Sequence, residues 1–155
     1  MSGQVVIRKA GPEDVESIAS FNIKMAIETE NKKLNKNLVL RGVKAVIKDP
    51  NKGFYLIAKQ IAEQNRVIGQ LLVTFEWSDW RNKYFWWIQS VYVNKKFRNR
   101  KILSQLYRRV TAMAEESKEV CGFRLYVEKH NRQAKKAYES LGMVKTPYEV
   151  YEKTI

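Results

Sequence analysis

The sequence predicts an α/β (α+β) protein: a mixed, mostly antiparallel central sheet of about six or seven strands with helices on both faces. Three observations carry this expectation. Apolar residues recur at three- to four-residue steps in separate stretches, which specifies helices. Runs rich in β-branched and aromatic residues lie between them, which specifies strands. The order is strand, two helices, three strands, helix, strand, helix, strand. Hairpin-joined neighbours and strand-helix-strand units therefore meet in one sheet, giving antiparallel and parallel pairing together.

The chain opens with a short strand, QVVIRKA, Gln4 to Ala10. Gly11-Pro12-Glu13-Asp14 then starts a helix. Proline is tolerated in the first turn, where its missing N–H is not needed, and the two carboxylates complement the helix dipole. Val15, Ile18, Ala19, Asn22, Met25 and Ala26 follow at helical spacing, giving a largely apolar face to about Glu30. Asn35 caps a second helix, in which Val39, Gly42, Val43 and Val46 share a face and which Asp49-Pro50 closes. GFYLIAK and RVIGQLLVTFEW are strands, SDWRNK turns the chain, and YFWWIQSVYV, Tyr84 to Val93, is the next strand.

Past Phe97 the period changes. Ile102, Leu103, Leu106, Tyr107, Val110, Met113 and Ala114 define a helix of about four or five turns. CGFRLYVEK is then a strand. NRQAKKAYESLG is a short helix with Ala134, Ala137, Tyr138 and Leu141 on one side and Gly142 as its C-terminal cap, and YEVYEK is a final strand. The 155 residues show no repeat, low-complexity tract or linker, so one domain over 1–155 is expected.

Lys and Arg number 29 against 16 Asp and Glu, a formal charge of +13. Such a field draws anionic partners: nucleic acid, acidic lipid or a phosphorylated cofactor. A solvated, lysine-rich surface accounts for it equally. With Cys121 the one cysteine and His130 the one histidine, a disulfide framework, a multi-cysteine metal site and a paired-imidazole site are excluded within the chain, and no metal is expected. His130 reads as a turn residue. The opening residues lack the build of a secretory signal and no apolar run is long enough to span a bilayer. A soluble cytoplasmic protein without a membrane partner is the expectation.

The stretch VNKKFRNRKILSQLY concentrates charge: Lys95, Lys96, Arg98, Arg100 and Lys101 fall where a strand gives way to a helix. The first amides of a helix have no partner within it and carry the positive end of the dipole, so an anion fits there. Guanidinium and ammonium groups strengthen the attraction for a diphosphate. Loops that cradle phosphate usually use glycine, whereas this turn has Asn99, Lys101 and Leu103, so left-handed glycine dihedrals are not assumed.

These residues resemble a known family. V-x-V followed by R-N-R-K-I-L, a strand, and N-x-x-A-x-x-x-Y-x-x-L-G-M is similar to the GNAT superfamily of acyl-CoA-dependent N-acetyltransferases, and the order of elements matches it from Gln4 to Ile155. The stretches GFYLIA, EWSDWRN, FWWIQSVYV and RLYVEKHNRQAKKAYESLGM are similar to one small single-domain subgroup. The family's phosphate loop, Arg or Gln, two residues, Gly, one residue, then Gly or Ala, maps onto Arg98, Lys101 and Leu103. Its first position matches. Neither small-residue position does.

The resemblance implies acetyl-CoA as co-substrate, held by Val91, Tyr92, Val93, Arg98, Asn99, Arg100, Lys101, Ile102, Leu103, Asn131 and Tyr138, and a primary amine as acceptor. It implies that the Val91 N–H donates to the oxyanion and that Tyr138 protonates the departing thiolate. The family's usual glutamate near the end of the central strand is replaced by Trp87. The proton acceptor is left among Glu76, Asp79, Glu28, Glu30 and a base acting through water. Trp77, Trp80, Trp86 and Trp87 form core, an acceptor wall or a homodimer surface according to their exposure. Two other readings stay open: a related fold without catalysis, and a basic nucleic-acid-binding module, the latter not favoured because no base-reading motif is present.

Overall fold

A computed structural model describes residues 3–62 and 64–155. Five strands form one sheet in the spatial order β1-β2-β3-β4-β5: β1 (Val5–Lys9), β2 (Phe54–Gln60), β3 (Arg66–Ser78), β4 (Lys83–Val93) and β5 (Val120–Arg124). The first four pair antiparallel. Only β5 joins in parallel, beside β4. The helices are α1 (Val15–Glu30), α2 (Lys36–Lys48), α3 (Ile102–Ser117) and α4 (Arg132–Ser140).

Strand β2 shows why the sequence reads as it does. Tyr55 and Ile57 point to the face covered by α1 and α2, where Val15, Ile18, Phe21 and Val43 are buried. Leu56 and Ala58 point to the opposite face, against Ile102, Leu106 and Val110 of α3. A strand covered on both faces is a continuous apolar run rather than an alternating one. Helix α1 begins as expected, with a short 3-10 turn at Pro12–Asp14 ahead of it. Asp14 is only 2% exposed, and its carboxylate accepts from Arg8 Nη1 at 2.8 Å and from the Gly11 amide at 2.9 Å. Asn35 caps α2 by accepting from the Leu38 amide at 3.1 Å.

Two expectations about the sheet are corrected. Among the described residues it has five strands rather than six or seven, because YEVYEK is not a strand: Tyr148, Val150 and Tyr151 are 74%, 71% and 90% exposed. Their alternation has the composition of a strand, but composition records only fitness for a half-buried surface and supplies no edge to pair with. The strand expected over CGFRLYVEK is also shorter. It pairs with β4 from Tyr84 to Trp87 and stops at Arg124. Gly142 does follow the C-terminus of α4, with φ +84°.

Candidate functional site

Strand β4 runs past the end of its parallel neighbour, so the edge from Ile88 to Val93 faces no strand on the β5 side. Within that free end lies a β-bulge. Gln89 pairs with Leu72 and Tyr92 with Gln70, so Ser90 and Val91 together oppose Leu71 alone. Ser90 takes the left-handed φ of 50° that makes room for the extra residue. The bulge reverses which face each side chain meets. Before it, Trp86 and Ile88 belong to the core under α3; after it, Val91 and Val93 do, and Tyr92 is turned to α1.

Beyond β4 the chain makes a short turn at Lys95–Phe97 and reaches α3 through Arg98, Asn99, Arg100 and Lys101. Asn99 and Lys101 adopt φ of 61° and 59°. Left-handed geometry is therefore present without glycine, contrary to what residue type alone licenses. Asparagine tolerates it, while lysine is strained there by about 1–2 kcal/mol. No side chain caps α3, whose first internal bond runs from the Gln105 amide to the Lys101 carbonyl. The amides of Ile102, Leu103 and Ser104 consequently lack helical partners. Gly69 of β3 lets this end approach the sheet: a Cβ there would lie 3.0 Å from Ile102 Cγ2.

These elements line one side of a cavity of about 600 Å³. Val91, Tyr92 and Val93 contribute from β4, Arg98, Asn99, Lys101, Ile102 and Leu103 from the turn, and Asn131 and Tyr138 from α4 on the far wall. Of the residues expected to bind the co-substrate, Arg100 alone is outside this lining; its guanidinium lies 5.3 Å from the Phe97 ring centroid. Asn131 caps α4, accepting from the Ala134 amide at 3.1 Å. Burial raises the Tyr138 hydroxyl above the ordinary tyrosine value, so it is protonated at neutral pH.

Arg98, half-buried, is tied to three neighbours. Its Nε donates to the Val93 carbonyl at 2.9 Å and its Nη2 to Glu28 of α1 at 2.7 Å, and its guanidinium lies 5.4 Å from the Tyr92 ring centroid. Glu28 also accepts from the Tyr92 hydroxyl at 2.9 Å and lies 3.5 Å from Lys95 Nζ. Desolvation pushes the Glu28 carboxyl up, but the bonds from Arg98 and Tyr92 and the nearby positive charges outweigh it and hold the group below the usual glutamate range. Glu28 thus ties the turn before α3 to α1 through Arg98 and Tyr92.

The other acidic candidates are dispersed. Glu76 accepts from Trp87 Nε1 at 3.0 Å and from Arg124 Nη1 at 2.6 Å, and it does not line the cavity. Asp79 is exposed in the β3–β4 turn, and Glu30 borders a second cavity between α1, α2 and the sheet. Trp86 is buried in the core, Trp77 and Trp80 are exposed, and none of the four tryptophans lines either cavity. Met25, Thr29, Ser104, Glu128 and His130 do line the first cavity but were not singled out by sequence as its walls. His130 lies in the turn before α4, as expected, and no spacing rule connects it with α1. Among the described residues no group of three His, Cys, Asp or Glu is placed to hold a metal ion, and no helix is long and apolar enough to cross a membrane.

The same architecture occurs in known structures. The chain is 41% identical to a possible acetyltransferase from Clostridium difficile 630, over 97% of each chain, with a TM-score of 0.89. A predicted acetyltransferase from Clostridium acetobutylicum, solved with acetyl-CoA, matches at 20% identity over 97% of this chain and 96% of that one, with a TM-score of 0.77. Glucosamine-6-phosphate N-acetyltransferase from Arabidopsis thaliana matches at 14% identity over 97% and 98%, with a TM-score of 0.73. These last two likenesses concern the fold. A comparison with curated protein sequences finds no match. The sequence model of the acetyltransferase (GNAT) family matches residues 18–143, which contain most of α1, the other three helices, the bulged strand and the turn before α3, and the chain belongs to that family.

Proposed function

We propose that the protein transfers an acetyl group from acetyl-CoA to a primary amine by direct attack of the amine on the thioester. One observation carries the reading: the start of α3, whose first amides have no helical partner, and the free edge of β4 border one cavity, whose lining also includes Tyr138. Acetyl-CoA supplies an acyl group activated as a thioester. The amides of Ile102, Leu103 and Ser104 suit its diphosphate, with Lys101 and Arg100 adding positive charge and Arg98 holding the turn in place. The edge of β4 at Val91 to Val93 has no neighbouring strand on the β5 side and suits an extended amide-bearing arm, although the Val93 carbonyl already accepts from Arg98.

In the transfer the amine nitrogen bonds to the carbonyl carbon and the carbon-sulfur bond breaks. The Val91 N–H is the donor proposed for the carbonyl oxygen as charge develops on it. Tyr138 gives its proton to the departing sulfur and regains one from solvent. The surplus amine proton leaves through water, because Glu28 and Glu76 are engaged by arginines. Calorimetric titration with acetyl-CoA, followed by a free-thiol assay over a panel of amines, tests the proposal. Binding with amine-dependent thiol release supports it; absence of acetyl-CoA binding overturns it.

A further inference from the structure

We infer that the second cavity, about 410 Å³ between α1, α2 and the sheet, is an acceptor site for a primary amine carried on an apolar body, and that Gly42 sets the size of that body. This rests on the transferase reading above. Gly42 lies inside α2, where glycine weakens a helix. Nothing in its surroundings demands it: an added Cβ would meet no atom within 4 Å, and its φ is not in the left-handed region. It does border the cavity. The open space beside it is continuous with walls formed by Ala26, Val39, Val43, Val46 and Leu72. Gly42 is solvent-exposed at the rim of this cleft, so a larger side chain there would extend over its mouth.

The polar groups of the cleft are neutral and linked. Asn22 donates through Nδ2 to the Tyr55 hydroxyl at 3.3 Å, and its Oδ1 accepts from Gln70 Nε2 at 2.7 Å. The same Gln70 nitrogen donates to the Ser90 carbonyl at 3.2 Å. Gln70 is fully buried, and its Oε1 has no partner among the described residues, so the network is not closed upon itself. Asn22, Tyr55 and Ser90 face the cleft and retain capacity to accept from an amine N–H. Charged side chains border it only as the opposed pair Glu30 and Lys32. An apolar body with one amino group matches this lining, whereas a polyamine or an amine bearing carboxylate or phosphate would desolvate its extra charges without partners. The cleft reaches β4 at Ser90, the neighbour of Val91, and shares Met25 and Thr29 with the first cavity, so an amine held there approaches the proposed transfer point.

The test compares 2-phenylethylamine, spermidine and glucosamine 6-phosphate in the free-thiol assay, for the unaltered protein, Gly42→Ala and Gly42→Phe. Direct calorimetric binding of each amine without acetyl-CoA gives a second readout. The expected result is at least a tenfold preference in kcat/KM for 2-phenylethylamine. Gly42→Phe should raise its KM at least tenfold while leaving acetyl-CoA affinity unchanged, and Gly42→Ala should raise the melting temperature. A preference for spermidine or the sugar phosphate, or an unaltered KM in Gly42→Phe, overturns the inference while leaving the transferase reading intact. Tight binding of 2-phenylethylamine that Gly42→Phe weakens, in a protein that fails to bind acetyl-CoA, would support the cleft and sink the transferase reading instead. If acetyl-CoA binds and 2-phenylethylamine does not, the cleft assignment is wrong.

Discussion

Glu28 and Arg98 are joined at 2.7 Å across seventy residues of sequence, linking the last turn of α1 to the loop that delivers α3. The guanidinium also holds the Val93 carbonyl, so one side chain fixes helix, strand end and loop together. Lysine cannot make both bonds with one fork. Arg98→Lys is expected to weaken acetyl-CoA binding about tenfold, equivalent to about 1.4 kcal/mol. Titration calorimetry checks this, and unaltered affinity would show that the staple does not position the turn.

Replacing Lys101 by glycine should stabilise the fold. Its φ of 59° is strained for a side-chain-bearing residue, and the relief exceeds the added freedom of the unfolded chain. The expected net gain is about 0.5–1 kcal/mol by urea unfolding. Lys101→Ile should lose stability, because a β-branched side chain tolerates the left-handed region least.

Tyr138→Phe should lower kcat about 100-fold or more while acetyl-CoA binds as before. Burial raises the hydroxyl's pKa, so its proton is retained through neutral pH and the unaltered protein should lose this contribution only above the ordinary tyrosine value of about 10. A pH profile of thiol release, with stopped-flow separation of transfer from product release, distinguishes the acid from a packing residue. Equal rates in both proteins would remove Tyr138 from the chemistry.

Asp14 couples stability to acid. Burial tends to raise its carboxyl, but the Arg8 bond, the Gly11 amide and the charges of Arg8 and Lys59 prevail and lower it. A group lowered by folding contributes its full stabilisation above its unfolded value, about 3.9, and loses it as pH falls through the lower folded value. Asp14→Ala leaves Arg8 without its buried partner and should cost about 3 kcal/mol at neutral pH. Denaturant titrations at pH 7 and pH 2.5 should differ much less in Asp14→Ala than in the unaltered protein.

Much of the fold is legible because its local signals agree. Asn35 supplies a cap, Asp49-Pro50 a stop, and the spacing from Ile102 to Ala114 an apolar face, and each element forms where those residues indicate. The site is less legible. The turn could be found from its charge and the start of a helical period, but the left-handed Lys101 could not, because its backbone is set by the strand and helix it connects rather than by its own preference. Nor could Glu28 be assigned to Arg98 rather than to an acceptor, since a contact across seventy residues leaves no periodic trace. Tyr148 to Lys153 failed in the opposite way: a plausible strand pattern pairs with no strand, although the outer edge of β5 has no neighbour among the described residues.

The extra residue at Ser90 gives β4 two allegiances. Upstream, its even-numbered side chains serve the α3 layer; downstream, Tyr92 is delivered to the α1 layer and to Glu28. Excising a single amino acid at that point would restore a regular pleat and exchange the destinations of everything that follows, sending an aromatic ring into the α3 core and stripping Glu28 of its phenol. The destinations of the side chains at the end of β4 thus depend on a counting irregularity in one strand, and an insertion or deletion there should be far more damaging than any substitution at the same position.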